Sequence, residues 1–213
     1  MSEYKGIDVS KYQSPSKVDY EALKDLGYSF VMAKAGSLKG KDSAFERHYE
    51  KALSAGLSVG AYLYSYATTE EEASHEAEMM LSWIKNKNLT HPIVYDIEDG
   101  TQKALGKEKC TDIALRFLTE IEDAGCYAML YSYANFIKHY LDMDRLKHFD
   151  VWLACYTSEE RRKALYTNPI LGIWQYSSSE ILPTVYPSRL DQDIAYKDYK
   201  RIIEANGLNV VRS

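Results

Sequence analysis

Two spacings of apolar residues alternate along the chain, one with period two or an unbroken apolar run and one with period three to four. The first kind comprises KGIDVS, YSFVMAKAG, LSVGAYLYSYA, HPIVYDIE, CYAMLYSY, DVWLACY, ILGIWQYS and RLDQDIAY, which read as strands. Amphipathic helices stand between the early ones. SPSKVDYEALKDLG is predicted to start at Pro15 and Ser16 and stop at Gly27, with Val18, Leu23 and Leu26 along it. DSAFERHYEKALSAG puts Phe45, Tyr49, Ala52 and Leu53 on one side. Thr69 caps a helix whose acidic first turn suits the positive end of the dipole, and whose buried stripe is Ala73, Ala77, Met80, Leu81 and Ile84. KCTDIALRFLTEIEDAG turns Ile113, Phe117, Leu118 and Ile121 inward. Thereafter the helices shorten to ANFIKHYLDMDRLK, SEERRKALY and a final KDYKRIIEANG, with none between the last two strands.

Strands alternating with helices imply right-handed βαβ crossings and a parallel sheet. About eight strands, with helices shortened or missing in the second half, predict an α/β fold of the irregular β/α barrel kind rather than an open doubly wound sheet. The barrel is expected to span residues 1–207, with 208–213 as a C-terminal tail. A length of 213 residues at 46% hydrophobic suits one domain with a substantial core.

Composition narrows the chemistry. A net charge of −5 with no basic block argues against a nucleic-acid partner. No apolar stretch approaches membrane-spanning length, and the N-terminus lacks a secretory leader pattern, so neither a membrane partner nor a route out of the cell is legible. Three cysteines without CxxC spacing, Cys110, Cys126 and Cys155, read as core residues or free thiols. Neither GxGxxG nor GxxxxGK[ST] is present, which weakens a nucleotide-binding reading, and no cofactor is implied. Tyr 19 against Phe 5 is the unusual feature: phenols stack on a ligand and also hydrogen-bond to it.

A parallel barrel carries its active site at the C-terminal ends of its strands. Those ends collect acids: Asp8 from the first strand, Asp96 and Glu98 from the fourth, Asp191 and Asp193 from the last. Around them fall Tyr62, Tyr64 and Tyr66, Tyr131 and Tyr133, and Trp174, Gln175 and Tyr176. In IVYDIE, residues i and i+2 share a face, so Asp96 and Glu98 look into one space, with Cβ atoms roughly 7 Å apart, while Tyr95 and Ile97 look the other way. Two carboxylates that close in a partly dry pocket cannot both ionise easily, and one becomes a proton donor near neutral pH. Glycosidic cleavage needs such a pair: an acid for the leaving oxygen and an anion for the charge growing on the sugar. Glu98, nearer the strand end, is the expected acid and Asp96 its charged partner. An isolated D-x-E is more often a strand end emerging into solvent. The case rests on three distant segments delivering acids to one rim.

The segments GIDVSKYQ (6–13), GAYLYSYA (60–67), PIVYDIE (92–98), IWQYSSS (173–179) and LDQDIAY (190–196) resemble, in order and spacing, glycoside hydrolase family 25. These are the Chalaropsis-type lysozymes of bacteriophage endolysins and secreted muramidases. The resemblance implies a barrel with incomplete helices in its second half. It further implies cleavage of the β-1,4 bond between N-acetylmuramic acid and N-acetylglucosamine in peptidoglycan strands. It makes Glu98 the general acid/base, Asp96 its neighbour, Asp8 a groove acid and Asp191 the acid of the last strand. Asp193 stands where asparagine is common. Tyr62, Tyr131 and Trp174 fall at aromatic subsite positions. Lys34 takes a place often held by arginine, and Leu63 replaces a more polar neighbour; both could alter which glycans fit. Participation of the substrate's 2-acetamido group, with Asp96 orienting it, is the expected route.

Three rivals stay in view. A chitinase-like barrel also ends a strand in D-x-E, but its longer D-x-x-D-x-D-x-E pattern is absent. A non-catalytic glycan-binding barrel would not need to retain both acids. A metal-dependent hydrolase lacks its ligands, since His48, His75, His91, His139 and His148 form no H-x-H or HExxH pattern, and no metal requirement is expected. Lack of a leader fits a phage endolysin released through a separate membrane pore, or a catalytic piece of a larger wall hydrolase. Any wall-binding module would lie outside these 213 residues.

Overall fold

A computed structural model describes residues 3–167 and 170–211. The first half runs β1 (Tyr4–Val9), α1 (Tyr20–Asp25), β2 (Phe30–Ser37), β3 (Gly40–Lys41), α2 (Phe45–Ser54), β4 (Ser58–Tyr64) and α3 (Glu70–Ile84). Next come β5 (Ile93–Asp96), α4 (Gly100–Lys103), α5 (Gly106–Asp123), β6 (Ala128–Tyr133) and α6 (Ala134–Tyr140). The chain continues through β7 (Asp150–Ala154), α7 (Glu159–Leu165), β8 (Leu171–Leu182), β9 (Tyr186–Ala195) and α8 (Tyr199–Asn206). The strands order as β1-β9-β8-β7-β6-β5-β4-β2-β3, and pairing of β1 with β2 closes the barrel, leaving β3 as a flap on β2.

The barrel is mixed, which corrects the all-parallel expectation. β9 runs antiparallel to both β8 and β1. A parallel neighbour needs a crossover of a dozen or more residues, and residues 183–185 between β8 and β9 allow only a hairpin. The first helix also differs. It starts at Tyr20 because Asp19 is extended and its carboxylate accepts from the Ala22 amide at 3.0 Å, while Pro15 and Ser16 lie in a preceding turn. Thr69 caps α3 as expected, through the Glu72 amide at 3.2 Å.

Strand alternation builds two apolar layers. Residues of one parity, such as Ile7, Val31, Leu63, Tyr95 and Leu130, pack outward under the helices. Those of the other parity, Phe30, Met32, Val94, Met129, Trp152 and Ile173, fill the barrel. Each such fully buried side chain contributes about 1.5–3 kcal/mol of hydrophobic stabilisation. α8 plugs the bottom with Tyr199 and Ile203. Gly172 makes room for that plug, since a Cβ there would lie 1.9 Å from the Tyr199 hydroxyl oxygen. His91 lies flat on Phe30 with ring centroids 4.5 Å apart, and burial pushes its pKa down to about 3. Of the expected tail, 212–213 lie outside the described residues, while Asn209 is docked at this end: its carboxamide accepts from the Tyr127 amide at 2.8 Å and donates to the Leu89 and His91 carbonyls at 3.0 Å.

Candidate active site

The upper end of the barrel opens into a cavity of about 280 Å³. β1 contributes Asp8, β2 Lys34, and β4 Tyr62 and Tyr64, all on the inward parity. Asp96 ends β5, and Glu98 follows on the same face although the regular strand has stopped. Tyr95 and Ile97 are fully buried in the outer layer, so the alternation that separates acids from apolar residues persists through this segment.

Glu98 is held from several sides. The Ile97 amide donates to the Tyr131 carbonyl at 3.1 Å, and the Ile97 carbonyl accepts from the Ser132 hydroxyl at 2.6 Å. Directly after it, Asp99 caps α4, accepting from the Thr101 amide at 2.9 Å, while its own amide donates to Gln102 Oε1 at 3.0 Å. Gln102 Nε2 then donates to Ser65 Oγ at 2.9 Å. Behind this loop lies the buried carboxyl of Glu76, which accepts from the Ser65 hydroxyl at 2.8 Å, the Tyr95 hydroxyl at 2.8 Å and the Tyr66 amide at 2.9 Å. Sequence reading passed over Glu76, though a carboxylate inside the apolar stripe of α3 was a visible signal.

On the opposite wall Gln175 is a hub. Its Nε2 donates to Asp8 Oδ2 at 2.7 Å, and its Oε1 accepts from the hydroxyls of Tyr131 at 3.1 Å and Tyr156 at 2.8 Å. Asp191 pairs with Asp8 across the β1–β9 ladder. Because β9 descends, Asp193 sits deeper, level with Gly6, and accepts from Trp152 Nε1 at 2.8 Å. Asp191 therefore lines the cavity and Asp193 supports its floor; neither lies at a C-terminal strand end, contrary to expectation.

The expected residues Asp8, Asp96, Glu98, Asp191, Tyr62, Tyr64, Tyr131, Gln175 and Lys34 all meet in this cavity. Trp174 does not. It has the opposite parity to Gln175, is buried in the outer layer, donates Nε1 to the Cys155 carbonyl at 2.9 Å and lies under the Arg162 guanidinium. Leu63 also faces outward and is fully buried, so it does not line the cavity. The indole of the cavity is Trp152, and Tyr12 and Tyr156 complete the aromatic wall. The parity of Trp152, Ala154 and Tyr156 in DVWLACY was the available clue. A hollow of about 690 Å³ between α1 and α2 is larger, but its acids, Asp19, Glu21 and Glu50, are exposed to solvent rather than held together in a buried pocket.

The site is acid-rich and poor in cations. Burial raises the pKa of Asp96 well above its usual value, the Glu98 charge adds to this, and Lys34 opposes it. Burial likewise raises Glu98, with Lys34 and Lys103 opposing and Asp99 adding. Asp8 is raised by burial and then by Asp191 and Asp193, while Gln175 counteracts. Burial also raises Asp191 and Asp193. Among the described residues Asp96 Oδ1 is buried with no hydrogen-bond partner, a costly arrangement. Among the described residues no cluster of His, Cys, Asp and Glu is arranged to hold a metal ion, and no helix is long and apolar enough to cross a membrane.

Known proteins share this chain's sequence pattern and fold. A protein of Clostridium acetobutylicum named autolytic lysozyme is 29% identical over 177 residues, covering 82% of this chain; the chain spans 51% of that relative's length. The modular autolysin LytC of Streptococcus pneumoniae, solved with a synthetic peptidoglycan ligand, superposes with a TM-score of 0.78 at 25% identity, covering 91% of this chain and 47% of that one. The CTP1L endolysin shares the fold, with a TM-score of 0.79 at 23% identity over 95% of this chain and 70% of that one. Residues 7–185 match the Glycosyl hydrolases family 25 pattern, and the chain belongs to that family.

Proposed function

We propose that the chain is an N-acetylmuramidase that cuts the β-1,4 bond between N-acetylmuramic acid and N-acetylglucosamine in bacterial wall peptidoglycan. The observation that carries this reading is the Asp96–Glu98 pair, walled by tyrosines and backed by one lysine. The names of its relatives, autolytic lysozyme and an autolysin solved with a peptidoglycan ligand, support the substrate class. Its place of action is the wall, outside the cytoplasm.

Glu98 is the general acid/base. Burial raises both members of the pair, and a coupled pair in one partly dry pocket holds a shared proton that belongs to neither residue alone. Asp96 is the deeper of the two, so before substrate arrives the proton is favoured there. A glycan over Glu98 removes it from water and raises its proton affinity, while the substrate acetamide N–H gives Asp96 Oδ1 its missing partner and favours the charged form. Binding thus moves the proton to Glu98, where the leaving oxygen takes it. Asp96 then holds the acetamide as its carbonyl oxygen attacks the anomeric carbon from the opposite face and the glycosidic C1–O bond breaks; Glu98, now a carboxylate, takes a proton from the water that opens the resulting oxazolinium ion. Asp8 and Asp191 face the same space, where positive charge growing on the sugar lowers their raised proton affinity and their ionised forms in turn stabilise the oxocarbenium-like transition state.

The test is digestion of purified peptidoglycan by wild type and Glu98→Gln, with products read by mass spectrometry after borohydride reduction. Wild type should release muropeptides with reduced muramic ends, and the folded variant almost none. Reduced glucosamine ends, or retained wall binding without cleavage, would overturn the reading.

A further inference from the structure

Beside the acidic groove lies a second cavity of about 320 Å³ with the opposite charge. Lys11, Lys34, Lys39 and Lys41 line it, against the single carboxylate of Asp42. Asp42 is engaged locally, accepting from the Lys11 amide at 3.2 Å and the Ala44 amide at 2.8 Å. Lys41 is paired with Glu46. Lys11, Lys34 and Lys39 make no ion pair among the described residues and rest instead on tyrosine faces. Their Nζ atoms lie 5.7 Å from the Tyr12 ring centre, 4.6 Å from that of Tyr64 and 3.7 Å from that of Tyr66. Gly40, at φ +117°, makes the turn between β2 and β3 that brings Lys39 and Lys41 to the same wall.

The two cavities adjoin. Tyr12 and Lys34 belong to both walls, and Tyr64 of the groove touches Tyr66 of the basic cavity at 5.0 Å between ring centres. A ligand lying along the groove can therefore send a branch into the basic cavity. Lys34 offsets the charge of Asp96 and Glu98 in the groove, which leaves Lys11 and Lys39 as the ammonium groups without an ion pair among the described residues. Sugar hydroxyls do not call for such groups, whereas carboxylates do. Peptidoglycan carries such a branch: the lactyl group of each muramic acid bears a peptide whose charge includes free α-carboxylates. Phosphodiester polymers of the wall are joined to far fewer muramic residues and would seldom meet a cavity placed beside the cut.

We propose that this cavity is an anion-binding subsite for the carboxylates of the peptide stem, an inference that rests on the muramidase reading above. Lys11 and Lys39 are its specificity residues, and Tyr12 and Tyr66 its floor.

The test compares soluble glycan chains bearing stems with the same chains stripped by an N-acetylmuramoyl-alanine amidase, for wild type and for Lys11→Ala/Lys39→Ala. Partly exposed charge pairs are worth up to about fivefold each, so wild type should prefer stem-bearing chains roughly tenfold, chiefly through KM. The double variant should bring that preference near unity while cutting stripped chains at the wild-type rate, and added salt should erode the wild-type preference. Calorimetry with inactive Glu98→Gln gives a readout independent of turnover: muramyl pentapeptide should bind more tightly than N-acetylmuramic acid, and the lysine substitutions should remove the difference. Equal rates on both chains, or equal loss on both in the double variant, overturns the subsite. So does a lysine effect that vanishes when phosphodiester polymers are removed with the stems intact. If wild type cuts neither substrate, the muramidase reading fails, and the calorimetric comparison still decides the subsite.

Discussion

The two ends of the barrel bury carboxylates in opposite ways. At the bottom, Asp150 is fully engaged, accepting from the hydroxyls of Tyr127 at 2.7 Å and Tyr199 at 2.9 Å and from Lys197 Nζ at 2.7 and 2.8 Å. At the top, Asp8, Asp96, Glu98 and Asp191 share a cavity lined by one lysine, and Asp96 Oδ1 and Asp193 Oδ2 lack partners. An acid whose partners are all supplied by the fold stabilises the fold. Acids left short of partners raise one another's proton affinity and stay available to a substrate. The lower end holds the barrel closed, and the upper end, the proposed active site, keeps its acids short of partners at some cost in stability.

The largest effect should appear at the top and only in turnover. Glu98→Gln is expected to lower kcat by about 10²–10⁴-fold, with a melting temperature equal to or above wild type, because it removes a raised carboxyl. A variant that loses stability as well would break the contrast between the ends. At the bottom the expectation reverses: Asp150→Ala should cost about 2–3 kcal/mol in denaturant unfolding, discounted for the partial exposure of Lys197. Its KM should be unchanged at temperatures where it stays folded.

Stability against pH sharpens the comparison further. Asp8, Asp96, Glu98, Asp191, Asp193 and Glu76 all have pKa values raised by burial. A raised carboxyl pKa means that the folded state binds its proton more tightly than the unfolded chain. The stabilisation is full below the usual carboxylate range and lost as pH climbs through the folded values. Melting temperature should therefore fall from mildly acidic pH toward alkaline pH. Asp193→Asn, which keeps an acceptor for Trp152 Nε1, should flatten that slope and add about 1–2 kcal/mol at pH 8. An unchanged slope would mean that Asp193 does not titrate in this range.

The smallest effect separates two aromatics. Tyr156→Ala should raise KM for glycan by a few-fold, since Tyr156 lines the groove and bonds Gln175. Trp174→Leu should lower the melting temperature and leave KM alone.

Much of the molecule was readable residue by residue. The Asp96–Glu98 alternation, the Thr69 cap and the inward face of α5 depend on contacts within a few residues, and the structure reproduces them. The failures share a cause. Trp174 was expected in the groove, together with Gln175, because the resemblance puts an aromatic subsite residue there, yet adjacent strand residues face opposite sides. Asp19 replaced Pro15 and Ser16 at a helix start because several residues there could begin a helix and only one met a free amide. The basic cavity joins residues from β1–α1, β2–β3 and β4–α3 connections, whose positions no local period encodes.

The sequence by itself determined the spacing of strands and helices, the sharing of one face by Asp96 and Glu98, and the membership that its ordered motifs signal. Tertiary structure alone decided that β9 descends, that Asp191 meets Asp8, and that a lysine cavity opens beside the groove. The reason is physical: side-chain period follows from local backbone geometry, whereas strand direction, register and burial are fixed only when distant segments compete for the same partners and the same water-free space.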